Sequence, residues 1–142
     1  MSLRDFSLSR PITSYTKVQA LVSSIKRNSR SQLSSSRVAG KRYLNVGCGP
    51  NSDPRYINLE YIWHPGIDLC WDIRNGIPLA SHSLDGIFSE HCLEHFSLET
   101  GIMLAREFHR LLVPGGRLRL ALPDTELYLS TYSQRLNGIR SN

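Results

Sequence analysis

Apolar residues fall in short clusters along the chain, and their spacing changes between clusters. Positions 18, 21, 22 and 25 are apolar at a helical period, which predicts a short helix. Residues 26–37 then read as a polar linker rich in serine and arginine. From Lys41 the pattern changes. Residues 43–47 (YLNVG) read as a short buried strand, and 48–52 as a turn. Further strands are expected at 56–60 (YINLE), 67–71 (IDLCW) and 84–89 (LDGIFS). The strongest helix spans about Ser97 to Val113, with Leu98, Ile102, Ala105, Phe108, Leu111 and Leu112 spaced by three and four. Ser97 suits its N-cap and Glu99 its first turn, while Arg106, His109 and Arg110 suit its end. Pro114, Gly115 and Gly116 are expected to stop it. A fifth strand is predicted at 117–122 (RLRLAL), where leucines alternate with Arg117, Arg119 and Ala121. Residues 124–136 read as a closing helix with Leu127, Leu129, Tyr132 and Leu136 apolar. Five strands with helical or loop crossovers predict an α/β parallel sheet.

Composition divides the chain in two. Residues 1–42 hold nine Lys/Arg, eleven Ser and one acid, Asp5, whereas residues 43–142 carry more acids than bases. The net charge of +5 therefore belongs to an arm, not to a basic nucleic-acid-binding domain. The expected division is a basic arm at 1–40 and a domain at 41–142. An organellar transit peptide shares the arm's composition. The arm lacks interleaved aromatics, with only Phe6 and Tyr15 before residue 43, so a solvated or lid-forming arm is favoured over one binding nucleic acid or an anionic membrane. The three cysteines, Cys48, Cys70 and Cys92, form no Cys-x-x-Cys pair. A disulfide scaffold is not expected, and a reducing, cytoplasmic location fits. No apolar run reaches the ~18 residues of a membrane span, and no secretory signal pattern appears.

The sharpest chemical signal is LNVGCGP at 44–50, a strand ending in Gly47-Cys48-Gly49. Glycines there let the backbone turn tightly and approach a ligand. In open parallel sheets ligands bind at the carboxyl ends of strands, where the strand order reverses. Glu60 ends the second strand, where a carboxylate can accept from both hydroxyls of a ribose. Asp72 follows the third and could accept from the exocyclic amine of an adenine. Without further context, a tight turn and two solvated acids remain the plain alternative.

Taken in order, LNVGCGP, YINLE, DLCWDI, IPLASHSLDGIFSEHCLEHF and AREFHRLLVPGGRLRLALPD resemble a class I S-adenosylmethionine-dependent methyltransferase of the methyltransferase type 11 group. The resemblance covers about residues 43–124. It implies a Rossmann-like sheet of strand order 3-2-1-4-5, followed by two further strands for which this sequence has no pattern. It therefore suggests a fragment or a natural truncation. It also implies that Gly47, Cys48 and Gly49 form the cofactor turn, Glu60 the ribose acid and Asp72 the adenine-side acid. Ile73 would lie beside the adenine, and Glu90 would join the same site. Pro50 and Pro54 leave little room for the usual first helix.

Competing motifs are weaker. A nicotinamide dinucleotide fingerprint needs a third glycine where Ser52 stands. HCLEH at 91–95 matches an inverted zinc-protease pattern, since on a helix His91 and His95 would share a face, but no third ligand is recognisable. Cys48 and Cys92 have no base partner in the sequence. The expected activity is methyl transfer from S-adenosylmethionine to an unidentified acceptor, a small molecule being favoured. His91 is the first candidate base and Asp124 the second. The alternative is an inactive binding or dimerisation module that self-associates through an exposed sheet edge.

Overall fold

The computed structural model describes residues 16–34 and 37–140. The first fifteen residues of the basic arm lie outside it, as do the linker's Ser35 and Ser36 and the Leu136 side chain of the expected closing helix. The elements run α1 Lys17–Lys26, β1 Tyr43–Val46, β2 Ile57–Glu60, β3 Leu69–Cys70, β4 Leu84–Glu90, α2 Leu98–Leu111, β5 Leu112–Ala121 and α3 Thr125–Arg140. The strands form one all-parallel sheet in the order β3-β2-β1-β4-β5. This is the α/β Rossmann-like order expected from the sequence.

Register assigns the two faces of the sheet. Leu44 pairs with Ile57 and Ile87, Val46 with Leu59, and Leu59 with Leu69, so these side chains share one face. Leu104, Phe108 and Leu111 of α2 pack into the same buried cluster. Each fully buried side chain of this kind contributes about 1.5–3 kcal/mol. The other face carries Asn45 beside Asn58 and Glu60 beside Cys70. It is covered by irregular loops at 47–56 and 61–68, with α1 against Cys70 at the β3 end. Loops can cover such a face because its polar groups find partners there. Asn45 donates to the Asn51 carbonyl, while Asn58 exchanges hydrogen bonds with the Asp53 backbone. Among the described residues no buried side-chain nitrogen or oxygen lacks a partner.

Asp68, just before β3, fastens the N-terminal segment to this face. Its side chain is 1% exposed and pairs with Arg37 Nε and Lys41 Nζ, each at 2.9 Å. It also accepts from the Asn58 N–H at 2.9 Å. Leu33 and Val38 pack into the main core from the same segment. The outer edge of β3 is closed by side chains. Gln32 accepts from the Cys70 N–H, and Asn28 Oδ1 accepts from the Asp72 N–H.

Helix α2 starts as expected, with Ser97 accepting from the Thr100 N–H. Phe108 and Leu111 face inward as expected, but the rest of the stripe differs. Leu98 (82% exposed) and Ile102 point outward, while Leu104, absent from the expected set, is fully buried. Two apolar arcs about 120° apart exist on this helix, and periodicity alone does not rank them. The helix ends at Leu111, before the Pro-Gly-Gly run. His82 and Ser83 donate to the Arg110 and Leu111 carbonyls, and β5 begins at once with Leu112. The run instead forms an irregularity in β5. Leu112 pairs with Leu84 and Arg117 with Gly86, and Gly115 between them takes φ +79°.

β5 corrects a second expectation. Its leucines alternate as a half-buried strand should, yet Leu118 and Leu120 are 41% exposed and Leu122 is 55% exposed. α3 forms as expected, capped by Asp124, but Leu127, Leu129 and Tyr132 are also exposed. The core-facing stripe of α2 is spent on the main cluster, and α3 does not fold back over β5. Among the described residues, nothing therefore covers the leucines at the far end of β5, although Leu112 at its start packs against the core.

The loop before β4 is held by ion pairing. Glu107 accepts from Arg110 at 2.7 and 2.8 Å and from the Ile77 N–H at 2.7 Å. Arg110 also donates to the Ile77 and Leu79 carbonyls. The Arg110 guanidinium holds the Glu107 carboxyl below its ordinary value of 4.5. The folded state therefore takes up fewer protons than the unfolded chain in acid. This contribution is complete above about pH 4.5 and is lost as pH falls through the lowered folded value. Urea midpoints should drop below that pH, and Glu107→Gln should flatten the drop. Arg110→Met should cost about 1–3 kcal/mol at neutral pH.

Candidate functional site

The sheet order places the first-strand turn where the chain reverses direction. From β1 the chain steps outward through β2 to β3, then returns to β4 on the other side. The carboxyl ends of β1 and β4 flank the resulting crevice. Gly47 (φ +65°) and Gly49 (φ +50°) form the turn after β1. The Gly47 and Cys48 N–H groups donate to the Leu59 carbonyl, locking the turn onto β2.

The two glycines serve different ends. A Cβ on Gly47 would stand 2.5 Å from Cys92 Sγ, so this glycine admits the loop after β4. A Cβ on Gly49 would meet nothing within 4 Å, which leaves an open face on the turn. Glu60 sits directly behind that turn. Its Oε2 accepts from the Gly49 N–H at 2.9 Å and its Oε1 from the Tyr61 N–H at 2.7 Å. A carboxylate offers about four acceptor positions, so capacity remains for a ligand hydroxyl.

His64 is a site-supporting residue that the sequence reading missed. Its Nε2 lies 2.6 Å from the Gly49 carbonyl, and its Nδ1 accepts from the Gly66 N–H at 3.2 Å. Because Nδ1 accepts, Nε2 carries the proton and donates. The ring thereby ties the loop after β2 to the glycine turn. A Cβ on Gly66 would run into Ser52 on the same turn. The only sequence signal was His-Pro-Gly, an ordinary turn signature.

The other candidates sit around this centre. Cys48 is buried with Ile67 and Cys70, and burial followed by the nearby Glu60 charge pushes its thiol up to about 12. Burial also raises Cys92, to about 11. Burial thus disfavours the thiolate form of both. Asp72 follows β3 and caps the 3-10 turn Ile73–Asn75. Both its oxygens engage Arg74, which lowers its carboxyl below the ordinary range, so a ligand amine would have to share it. Ile73 is buried. Beside Asp72, Arg27 stacks over Tyr61, 3.6 Å from the ring centroid, and donates to the Tyr61 carbonyl.

Glu90 ends β4 with its side chain exposed. His91 takes φ +49°, donates its N–H to the Ala121 carbonyl and exposes its ring, with Nδ1 3.4 Å from Glu94. HCLEH is thus a strand end followed by a 3-10 turn, Leu93–His95, not one helix. The shared helical face required for paired zinc ligands is not formed. Among the described residues no group of three or more His, Cys, Asp and Glu could hold a metal ion. Asp124 lies beyond β5, engaged in capping α3. The fold therefore joins Gly49, Glu60 and His64 by hydrogen bonds, with Gly47 and Cys92 in contact beside them. Asp72 and His91 flank this cluster on β3 and β4.

Two cavities of about 340 and 430 Å³ lie elsewhere. One is bounded by Lys26, Gln32 and Trp63, the other by Lys41, Pro54 and Asn58, and Arg37 and Asp68 line both. Neither is lined by Gly49 or Glu60.

The parallel 3-2-1-4-5 sheet is an α/β Rossmann-like frame with an open glycine turn at its reversal point. A family model described as a methyltransferase domain matches residues 62–120, consistent with a class I methyltransferase domain. The match runs from the loop after β2 nearly to the end of β5, so Gly47, Gly49 and Glu60 precede it. No curated protein and no solved structure matches the chain. Among the described residues no helix is long and apolar enough to cross a membrane.

The two glycines can be separated by experiment. Both need a left-handed backbone, which costs an alanine about 1–2 kcal/mol. Gly47→Ala adds a clash with Cys92 of the overpacking kind, about 1–3 kcal/mol more. Gly47→Ala should therefore lower the urea midpoint clearly further than Gly49→Ala.

Proposed function

We propose that the chain binds S-adenosylmethionine at the glycine turn and transfers its methyl group to an acceptor. One observation carries the reading: the open-faced Gly49 at the end of β1 is hydrogen-bonded to the Glu60 carboxylate at the end of β2. These residues suit a nucleoside, because the turn leaves room for close approach and the carboxylate retains acceptor capacity for ribose hydroxyls. Gly47, Cys48 and Gly49 would form the cradle. Asp72 would share its carboxylate between Arg74 and the adenine amine, beside the Ile73 backbone. Glu90 would close the β4 side. S-adenosylmethionine supplies an electrophilic methyl on a positively charged sulfur.

With such a donor the protein's own task is mainly alignment, and positioning can supply up to about 7–11 kcal/mol of a barrier. A base is needed only when the acceptor loses a proton. His91 is the proposed base, since its ring is exposed at the crevice-side end of β4 with Nδ1 turned to Glu94. Asp124 is the second candidate. The acceptor is proposed to be a small molecule, and the three free cysteines favour a reducing, cytoplasmic setting for a basic arm at 1–40 and a domain at 41–142.

Calorimetric titration with S-adenosylmethionine and S-adenosylhomocysteine tests the reading without knowing the acceptor. Micromolar or weaker binding is expected. Glu60→Gln keeps the shape but removes the charge that strengthens its hydrogen bonds, each worth about 1.5–3 kcal/mol. Affinity should fall at least tenfold, and unchanged affinity in a folded variant removes Glu60 from the site.

A second reading, a dimerising module, is favoured by β5. It is the last strand of the sheet, and Leu118 and Leu120 on it are exposed. An unpaired edge of this kind invites strand addition by another chain. Light scattering should show self-association that Leu120→Lys reduces. A clean monomer at high concentration would rule the edge out as an interface.

A further inference from the structure

Helix α1 lies with its polar side against the domain and its apolar side outward. Ser23 is its buried residue, accepting from the Trp63 N–H at 2.8 Å. Cys70 Sγ lies against the Ser23 carbonyl from the sheet side. Val18, Leu21 and Ile25, at spacings of three and four, are 67%, 62% and 71% exposed. They fall within an arc of about 60° and form one aliphatic stripe.

The surroundings of the stripe are cationic. Residues 16–34 hold Lys17, Lys26, Arg27 and Arg30 and no Asp or Glu, whereas Arg37, Lys41 and Arg42 further on pair with Asp68 and Asp85. Two of these cations clamp the helix end, Lys26 over the Trp63 ring at 4.8 Å and Arg27 over Tyr61. Lys17 and Arg30 are exposed and make no ion pair among the described residues. The helix is thus held rigidly by its polar side while presenting aliphatic side chains bordered by positive charge.

We propose that α1 is a docking surface for an anionic lipid bilayer. An interfacial helix needs an apolar face to enter the headgroup boundary and cations to meet anionic lipids, and α1 supplies both. The stripe contains no aromatic ring on which a nucleic acid base could stack, which disfavours a nucleic acid partner. The attachment is reversible, since one short helix with three aliphatic side chains buries little area. It also has a direction. Arg27 bonds the Tyr61 carbonyl and Asn28 bonds the Cys70 carbonyl and the Asp72 N–H. Docking through α1 therefore brings the carboxyl ends of β2 and β3 toward the lipid surface. The proposal does not depend on the methyltransferase reading.

The test is co-sedimentation of the full chain with phosphatidylcholine vesicles, with and without phosphatidylglycerol. Binding to the phosphatidylglycerol vesicles should be at least about tenfold stronger and should weaken with salt. Leu21→Ser with Ile25→Ser, both at exposed positions, should reduce it at least about tenfold with an unchanged circular dichroism spectrum. As a second readout, Val18→Trp should shift its emission to shorter wavelength on the same vesicles. The proposal is overturned if the folded protein ignores both vesicles or if the tryptophan emission does not move. It is overturned equally if the double variant binds undiminished, because attraction is then by charge alone. A concentration-dependent dimer abolished by the double variant, without vesicle binding, would assign the stripe to a second copy.

Discussion

The Asp68 carboxylate, buried before β3, is the joint on which the polar half of this fold depends. A buried carboxylate is costly unless its charge and lone pairs are met. Here they are met from three places: Arg37 and Lys41 of the N-terminal segment and the Asn58 amide of β2. The segment cannot leave without stranding that charge, a situation that typically costs about 3–5 kcal/mol. Its presence allows Leu33 and Val38 to join the core and Asn28 and Gln32 to close the β3 edge. Net stabilisation from such a cluster is small, because desolvation offsets much of the attraction. Its effect is to fix where the segment lies.

The same economy shapes the candidate site. The connections after β1 and β2 are loops, so no helix N-terminus faces the crevice from either of them. Side chains take over its supporting role. Glu60 and His64 grip Gly49 from both sides, through its N–H and its carbonyl. The turn is thereby held open by interactions that do not fill it. On the β4 side, Cys92 fills the space that Gly47 leaves and Ser89 donates to the Val46 carbonyl, so the strands flanking the crevice are in close contact. This rigidity suits a site whose work is alignment.

The two ends of the sheet are treated unequally. β3 is an edge whose backbone groups are met by Gln32 and Asn28, whereas β5 has an open row and leucines in solvent. α1 adds a second exposed apolar surface, presented by a helix and bordered by Lys17, Lys26, Arg27 and Arg30. Covered edge, bare edge and cationic stripe are thus three different surfaces on one small domain, suited to different kinds of contact.

The sequence alone determined the strands, their parallel order through the family resemblance, and the glycine turn with an acid at the end of the next strand. These features are local: alternation, a Gly-x-Gly at a strand end and a capped amphipathic run are written in neighbouring residues. The tertiary structure decided what depended on distant partners. Which arc of α2 faces inward follows from how α2 packs into the main buried cluster, so Leu104 displaced Leu98 and Ile102. Leu118, Leu120 and α3 lie exposed because, among the described residues, no element covers that part of β5, a condition that alternation cannot report. His64, Asp68 and the inverted seating of α1 were invisible for the same reason. Each acts through a partner remote in sequence: the Gly49 carbonyl for His64, Arg37 and Lys41 for Asp68, and the Trp63 amide for Ser23.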